Sequence, residues 1–312
     1  MPILLPTEID AALREHFGHG SSLAGTQSYR PGYREFPTLV TVQQPVGENQ
    51  FCVVKVGESS LIRREADTLR LLAPLGIAIP KVVVGPSALS EKETSFLVLT
   101  VLPGRPLPWC GTTTLTEADL ACRLAIDAIE TLHRLTDGVS ALDKASTLAR
   151  KNLAEELAAL EESWLARSDE PLVRRALDLS ARAIPGVPPD LVFSNGDYNP
   201  LNFLYEDDEV VGYVDFEHAC FENPFIGLAK FMIWSTDEFG WGTGARTGFV
   251  ERFLYRHGVS RQQFAPILLL RSLTHLAREL PGLEDGVSAS RSHLLNVIED
   301  CCAVIGSRID RL

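Results

Sequence analysis

Two short apolar runs, Leu191 to Phe193 and Val210 to Val214, read as buried strands, and each releases a group of polar residues at its end. The first opens into Ser194, Asn195, Gly196, Asp197, Tyr198, Asn199, Pro200, Leu201 and Asn202, the second into Asp215, Phe216 and Glu217. A chain with this pattern must fold so that both strands end side by side, because only then do carboxylates and an amide emerge together from apolar scaffolding. Asn202 stands five positions after Asp197, and Asp215 stands eighteen after it. Phosphoryl-transfer chemistry requires a carboxylate at the attacking hydroxyl, plus an amide oxygen and a second carboxylate for Mg2+, and this spacing supplies each part. The plainer reading is a loop closed by the Asn195-Gly196 turn dipeptide and capped by Asp and Asn side chains. The number of coinciding parts favours the chemical reading.

At 312 residues, 45% hydrophobic and 22% charged, the chain can build two lobes with sizeable cores. The formal charge of −12 is uneven: residues 1–106 carry ten acids and ten bases, whereas residues 107–312 carry 31 acids and 19 bases. No basic face is present to release counterions, which disfavours a nucleic-acid partner. The simplest account of the acidity is a solvated surface that aids solubility. No secretory leader is read over Met1 to Thr7, and no window approaches eighteen uncharged apolar residues, so the expectation is a cytoplasmic protein with no membrane partner. The cysteines Cys52, Cys110, Cys122, Cys220, Cys301 and Cys302 form no CxxC pair and read mostly as reduced, buried thiols.

Along the chain, Thr7 to Phe17 has the spacing of an amphipathic helix. Ser21 to Gln44 reads as two strands joined near Tyr29 to Phe36, a turn that fits a phosphate cover or a plain hairpin equally, since no G-x-G-x-x-G occurs. Phe51 to Val56 is a β-branched run that carries Lys55, and an ammonium buried there demands an anionic partner. Ser59 to Leu75 reads as a helix, with Ser59 or Ser60 as its cap and Glu65 on it. Ile79 to Val84 and Ser95 to Val101 are two further strands, the second running into Leu102, Pro103 and Gly104. Beyond Leu107 the pattern is helical: Thr116 to Leu135, two helices within Leu148 to Ile184 divided at Pro171, a helix opening at Pro224, then Val250 to His257, Pro266 to Leu280 and Ser290 to Ile309. Glu206 to Glu209 is an acidic hairpin turn, not a metal cluster.

Asn195-Gly196-Asp197 with Asn199-Pro200 and Asn202 resembles the catalytic loop of the aminoglycoside phosphotransferase and choline kinase family, and Asp215-Phe216-Glu217 resembles its metal-binding segment. Lys55 and Glu65 resemble the ion pair that turns a lysine toward nucleotide phosphates, and Leu132-His133-Arg134 is similar to the phrase that precedes the loop. Two departures stand out: Asn195 occupies the usual His position, and Gly227-Leu228-Ala229 replaces Asp-Leu-Ala, removing a support of the loop.

The resemblance implies an α+β, bilobal protein-kinase-like fold. A nucleotide-binding lobe over residues 1–104 has a small antiparallel sheet and one long helix, a hinge lies near 100–106, and residues 105–312 form a larger, mainly helical lobe for catalysis and the acceptor. It also implies an ATP- and Mg2+-dependent phosphotransferase acting on a hydroxyl of a small molecule. In that reading Asp197 is catalytic, Lys55, Glu65 and the backbone of Thr100, Val101 and Leu102 hold the nucleotide, and Asn202 and Asp215 hold the metal. No Ala-Pro-Glu follows Asp215, which speaks against a protein kinase. An inert nucleotide-binding module is the alternative that Asn195 and Gly227 raise, and a metal-dependent phosphatase leaves Lys55 and Glu65 unexplained. The acidic second part points to a cationic, amino-sugar-like acceptor, with Glu217, Glu222, Asp237, Glu238 and Glu279 as candidate acids and Trp234, Trp241 and His275 as candidate lining. The oligomeric state is left open.

Overall fold

A computed structural model describes residues 5–28, 37–44, 47–90, 93–107, 114–233, 248–278 and 288–309. The β-branched run at Phe51 becomes the centre of a five-stranded antiparallel sheet. Its strands are β1 (Ser22–Ser28), β2 (Thr38–Gln43), β3 (Gln50–Glu58), β4 (Val82–Ala88) and β5 (Thr94–Thr100), in the order β1-β2-β3-β5-β4. The period of two decides what each face buries. Cys52 and Val54 of β3, Phe96 and Val98 of β5 and Val40 and Val42 of β2 pack against Ile9 and Leu13 of helix α1 (Thr7–Phe17). On the other face, Val53, Leu97 and Leu99 join Ile62, Ala66, Leu69 and Leu72 of helix α2 (Ser59–Leu72). Burial of each large aliphatic chain contributes about 1.5–3 kcal/mol. Lys55 alternates with Val54 and shares the face of Val53, so the pleat aims its ammonium toward α2. The expected serine cap is not formed: α2 starts without a side-chain cap, and the Ser59 hydroxyl is hydrogen-bonded to that of Ser95 at 2.7 Å.

Past Thr100 the chain enters a mainly helical region. Its helices are α3 (Leu115–Arg134), α4 (Thr136–Leu142), α5 (Leu153–Glu162), α6 (Pro171–Ala183), α7 (Lys230–Ile233), α8 (Phe249–Arg256), α9 (Arg261–Arg278) and α10 (Ser288–Ile309). A capping box between Thr114 and Glu117 starts α3, whose buried face of Ala118, Ala121, Ala125, Ala128 and Leu132 admits close neighbours. Among the described residues the region also holds six short strands, β6 (Arg105–Pro106), β7 (Ala149–Arg150), β8 (Val192–Ser194), β9 (Phe203–Glu206), β10 (Glu209–Tyr213) and β11 (Cys220–Glu222). They form two three-stranded sheets, β10-β9-β6 and β7-β11-β8. Asp207 and Asp208, both at positive φ, turn β9 into β10, so the acidic run is the hairpin turn the sequence predicts.

One apolar core runs without a break from Ile62 and Leu69 of α2 through Ala125 and Ile129 of α3 to Leu269 of α9 and Ile298 of α10. Cys52, Cys122, Cys220, Cys301 and Cys302 are buried free thiols, and Cys110 lies outside the described residues. Among the described residues no helix is long and apolar enough to cross a membrane. The mixed α+β architecture with an antiparallel sheet agrees with the sequence expectation.

Candidate active site

Strand β8 ends at Ser194, and a loop then runs to a 3-10 turn at Pro200–Asn202 before β9 begins. Within this loop Asn195 brackets Asp197: its Nδ2 donates to the Asp197 carbonyl at 2.8 Å, and its Oδ1 accepts from the Asp197 N–H at 3.2 Å. An amide has both a donor and an acceptor for this task. Asn202 Nδ2 donates to the Asp197 carbonyl at 3.2 Å and to Asp197 Oδ2 at 3.3 Å, while the Asn199 N–H donates to Oδ1 at 3.3 Å. Gly196 makes the bend at φ +77°, where a Cβ would stand 2.0 Å from the His218 carbonyl oxygen, so only glycine fits. The Asp197 carboxylate is pinned on both oxygens yet one-third exposed (33%), so a ligand can reach it.

The second acidic point is tied to the first by the backbone: the Val214 N–H donates to the Asn202 carbonyl at 2.9 Å. Asp215 follows at φ +69°, a conformation rare for a residue with a Cβ and typical of functional sites. Its Oδ1 lies 2.8 Å from Lys55 Nζ, which also pairs with Glu65 Oε2 at 2.5 Å and Glu217 Oε2 at 3.3 Å. Desolvation pulls the Lys55 ammonium down, but Glu65, Asp215 and Glu217 together outweigh it and hold Lys55 above its ordinary value. Glu65 is 1% exposed and accepts from the Phe216 N–H at 3.3 Å through its other oxygen, joining α2 to the Asp215 segment. The expected anionic partner of Lys55 is therefore a set of three carboxylates.

A buried support lies behind the loop. The Tyr198 side chain is fully buried, and its hydroxyl is 2.6 Å from Nε2 of His133 on α3. Burial pushes His133 down to about 3, so the ring is neutral, and burial likewise raises the Tyr198 hydroxyl. Gly227 lies against the tyrosine ring, where a Cβ would come 2.4 Å from a ring carbon. The sequence reading expects the missing Asp at this position to weaken the loop. In the fold, Tyr198 takes the space beside Gly227 and its hydroxyl is anchored on His133.

The loop also carries a partner that the sequence reading missed. Lys230, the first residue of α7, forms an ion pair and hydrogen bond with Asp197 Oδ1. Burial pushes its ammonium down to about 7. The signal was the one that singled out Lys55: a lysine opening an apolar stretch, Lys230-Phe231-Met232-Ile233, directly after Gly227-Leu228-Ala229.

The remaining expected residues separate. The Thr100 N–H donates to the Lys81 carbonyl at 3.0 Å and its hydroxyl accepts from the Lys81 N–H at 2.9 Å, so both groups are spent inside the sheet. Val101 is 38% exposed. Leu102 approaches Gly212 of β10. Glu217 pairs with Lys55, and Glu222 is buried and pairs with Lys151 at 3.4 Å. Trp234, Asp237, Glu238, Trp241, Glu279 and the Tyr29 to Phe36 turn lie outside the described residues.

A sequence profile described as the phosphotransferase enzyme family matches residues 46–267. No curated protein sequence matches the chain. Among solved structures, a thermostable mutant of the aminoglycoside phosphotransferase APH(4)-Ia, in a ternary complex with ADP and hygromycin B, superposes with a TM-score of 0.64 at 14% identity over 96% of this chain and 99% of that one. The macrolide 2'-phosphotransferase of Brachybacterium faecium gives 0.57 at 18% identity over 94% and 98%. The aminoglycoside-3'-phosphotransferase of type VIII gives 0.52 at 22% identity over 86% and 100%. These likenesses establish the protein-kinase-like fold.

Proposed function

Because the chain belongs to the phosphotransferase enzyme family, we propose that it transfers the γ-phosphoryl group of ATP, with Mg2+, to a hydroxyl of a small molecule. The observation that carries this reading is one connected row of groups. Lys55 meets Asp215, Asp215 follows Val214, Val214 is hydrogen-bonded to Asn202, and Asn202 holds Asp197. Nucleotide phosphates at Lys55 and an acceptor hydroxyl at Asp197 would thus lie at the two ends of one metal-binding stretch. The ADP and hygromycin B bound to the structurally similar APH(4)-Ia support a nucleotide and a hydroxylated small molecule as ligands.

In this reading Lys55 binds phosphate oxygens, Glu65 keeps it aimed, and the backbone of Val101 and Leu102, beyond the spent N–H of Thr100, meets the adenine edge. The donor set suits Mg2+: Glu65, Asp215 and Glu217 bring oxygens within 4.8 Å of one another, and all are hard ligands. Glu65 is committed to Lys55 and Phe216, which leaves Asp215 and Glu217 of that set, and the family resemblance implies Asp215 with Asn202 as the holders. Bound Mg2+ supplies charge neutralisation of the phosphates. Asp197 orients the acceptor hydroxyl and takes its proton, and Asn202 fixes the carboxylate for that role.

The inert-module alternative draws on Asn195 and Gly227; the Asn195 bracket and the Tyr198 anchor support an ordered loop despite both departures. The test is thermal denaturation with ATP or ADP, with and without Mg2+. A Mg2+-dependent rise in Tm is expected, and no rise with any nucleotide would return the protein to the inert class.

A further inference from the structure

Lys230 touches the one group that the phosphotransfer reading gives to the acceptor hydroxyl, and that reading assigns the lysine no role. Resting on that reading, we infer that Lys230 is a catalytic residue: it binds the γ-phosphoryl group in transit, and without substrate it rests on Asp197.

Three observations carry this. First, position. Asp197 Oδ1 receives Lys230 and Oδ2 receives Asn202 at 3.3 Å, so a hydroxyl arriving at the carboxylate arrives beside the lysine. The phosphoryl group comes in line with that hydroxyl, within reach of the same ammonium. Second, charge. Lys55 is already offset by three carboxylates at 2.5, 2.8 and 3.3 Å, so it has little unopposed charge for oxygens that gain negative character during transfer. A cation aimed at that developing charge is the most effective stabiliser an enzyme site can hold. Third, access. The Lys230 and Asp197 side chains are 22% and 33% exposed, an ion pair open to the site and not sealed in the core. Burial lowers Lys230 to about 7, and an anion beside it favours the charged ammonium. Asp197 and the phosphoryl oxygens can fill that place in turn.

In the step so described, the acceptor oxygen bonds to the γ-phosphorus as the bond to the bridging β,γ oxygen breaks. The bonding pair leaves on ADP, the hydroxyl proton passes to Asp197, and Lys230 keeps its own protons throughout.

The experiment needs no acceptor. Isothermal titration compares MgADP with MgADP plus aluminium fluoride, a mimic of the phosphoryl group in flight, for wild type, K230M and K230R. Wild type is expected to bind the fluoride complex at least tenfold more tightly than MgADP. K230M should lose most of that gain while its MgADP Kd stays within threefold, and K230R should keep part of it. Fluorine resonances of the bound complex should move in K230M, which a merely structural lysine would not cause. If K230M does not fold, K230Q is held to the same criterion. An equal fluoride gain in wild type and variant overturns the role of Lys230 while leaving the phosphotransfer reading intact. Absence of MgADP binding to wild type removes that reading and the inference with it.

Discussion

At Asp197 the carboxylate is held on both oxygens and partly open, which fits the base that we propose. Asp197→Asn keeps the size and loses the base, so turnover should fall by about 10² to 10⁴ with MgATP affinity near normal. Single-turnover rates within threefold of wild type would remove Asp197 from the chemistry. Asp215→Ala should instead weaken MgATP more than metal-free ATP, because a hard oxygen ligand is lost, and Asn202→Ala should do so less severely. Titrations of ATP at several fixed Mg2+ concentrations check this, and equal losses with and without metal would refute it. His133 makes a separate prediction. Its folded pKa of about 3 lies below its ordinary 6.5, so between these values the unfolded chain binds a proton that the native one refuses. Its stability contribution is therefore intact above about pH 6.5 and declines as pH falls toward 3, by up to ~1.4 kcal/mol per pH unit. His133→Gln does not titrate and can still hydrogen-bond Tyr198. Its Tm should drop less than that of wild type between pH 7.5 and pH 5.0, and an equal drop would contradict the argument.

The loop from Ser194 to Asn202 is shaped by two glycines that do different work. Gly196 provides a positive φ, and its Gly196→Ala variant would force a methyl onto the His218 carbonyl, 2.0 Å away, at a cost of at least ~2 kcal/mol. Gly227 provides room for the Tyr198 ring. Gly227→Ala should destabilise by a similar amount, and Tyr198→Leu, which removes the opposing ring, should recover part of the loss. Urea denaturation of the two single variants and the double variant measures a coupling of about 0.5–3 kcal/mol, and strict additivity would show that the ring and the glycine are independent. These contacts also mark where the sequence stops being legible. Strand β3 and helix α2 were readable because their period is local, and Lys55 because a charge in a buried strand demands a partner. The contact of residue 198 with residue 227, and of both with residue 133, leaves no periodic trace. Lys230 did leave the trace that Lys55 left, but its partner lies 33 positions away on another loop. Glu217, read within the segment after Asp215, and Glu222 were candidate acids for a cationic acceptor, and it took the fold to place one on Lys55 and the other, buried, on Lys151.

Across the whole molecule the charge is divided: residues 1–106 are balanced, and residues 107–312 carry 31 acids against 19 bases. In the proposed reading the acceptor meets the second region, so the excess bears on what the acceptor can be. Some of it is spent. Glu217 faces Lys55, Glu222 faces Lys151, and the run Glu206 to Glu209 is a turn between β9 and β10. The rest still biases the region toward a cation, at about 1 kcal/mol for a close contact in high dielectric and several-fold more in a closed cleft. We therefore expect a hydroxylated amine, such as an aminoglycoside or an amino sugar, to be phosphorylated in preference to a hydroxy acid or a sugar phosphate. If Lys230 is occupied by the transferring phosphoryl group, it does not oppose such an acceptor. An ATP-consumption screen should pair aminoglycosides, macrolides, choline-like amines and amino sugars with neutral sugars and hydroxy acids. For an amine that turns over, KM should rise with ionic strength while kcat stays nearly constant, since salt screens the attraction over about 8–10 Å at 0.10–0.15 M and leaves the chemistry at Asp197 untouched. Turnover confined to anionic acceptors, or a KM indifferent to salt, would show that the acidity of the second region is surface charge without a part in recognition.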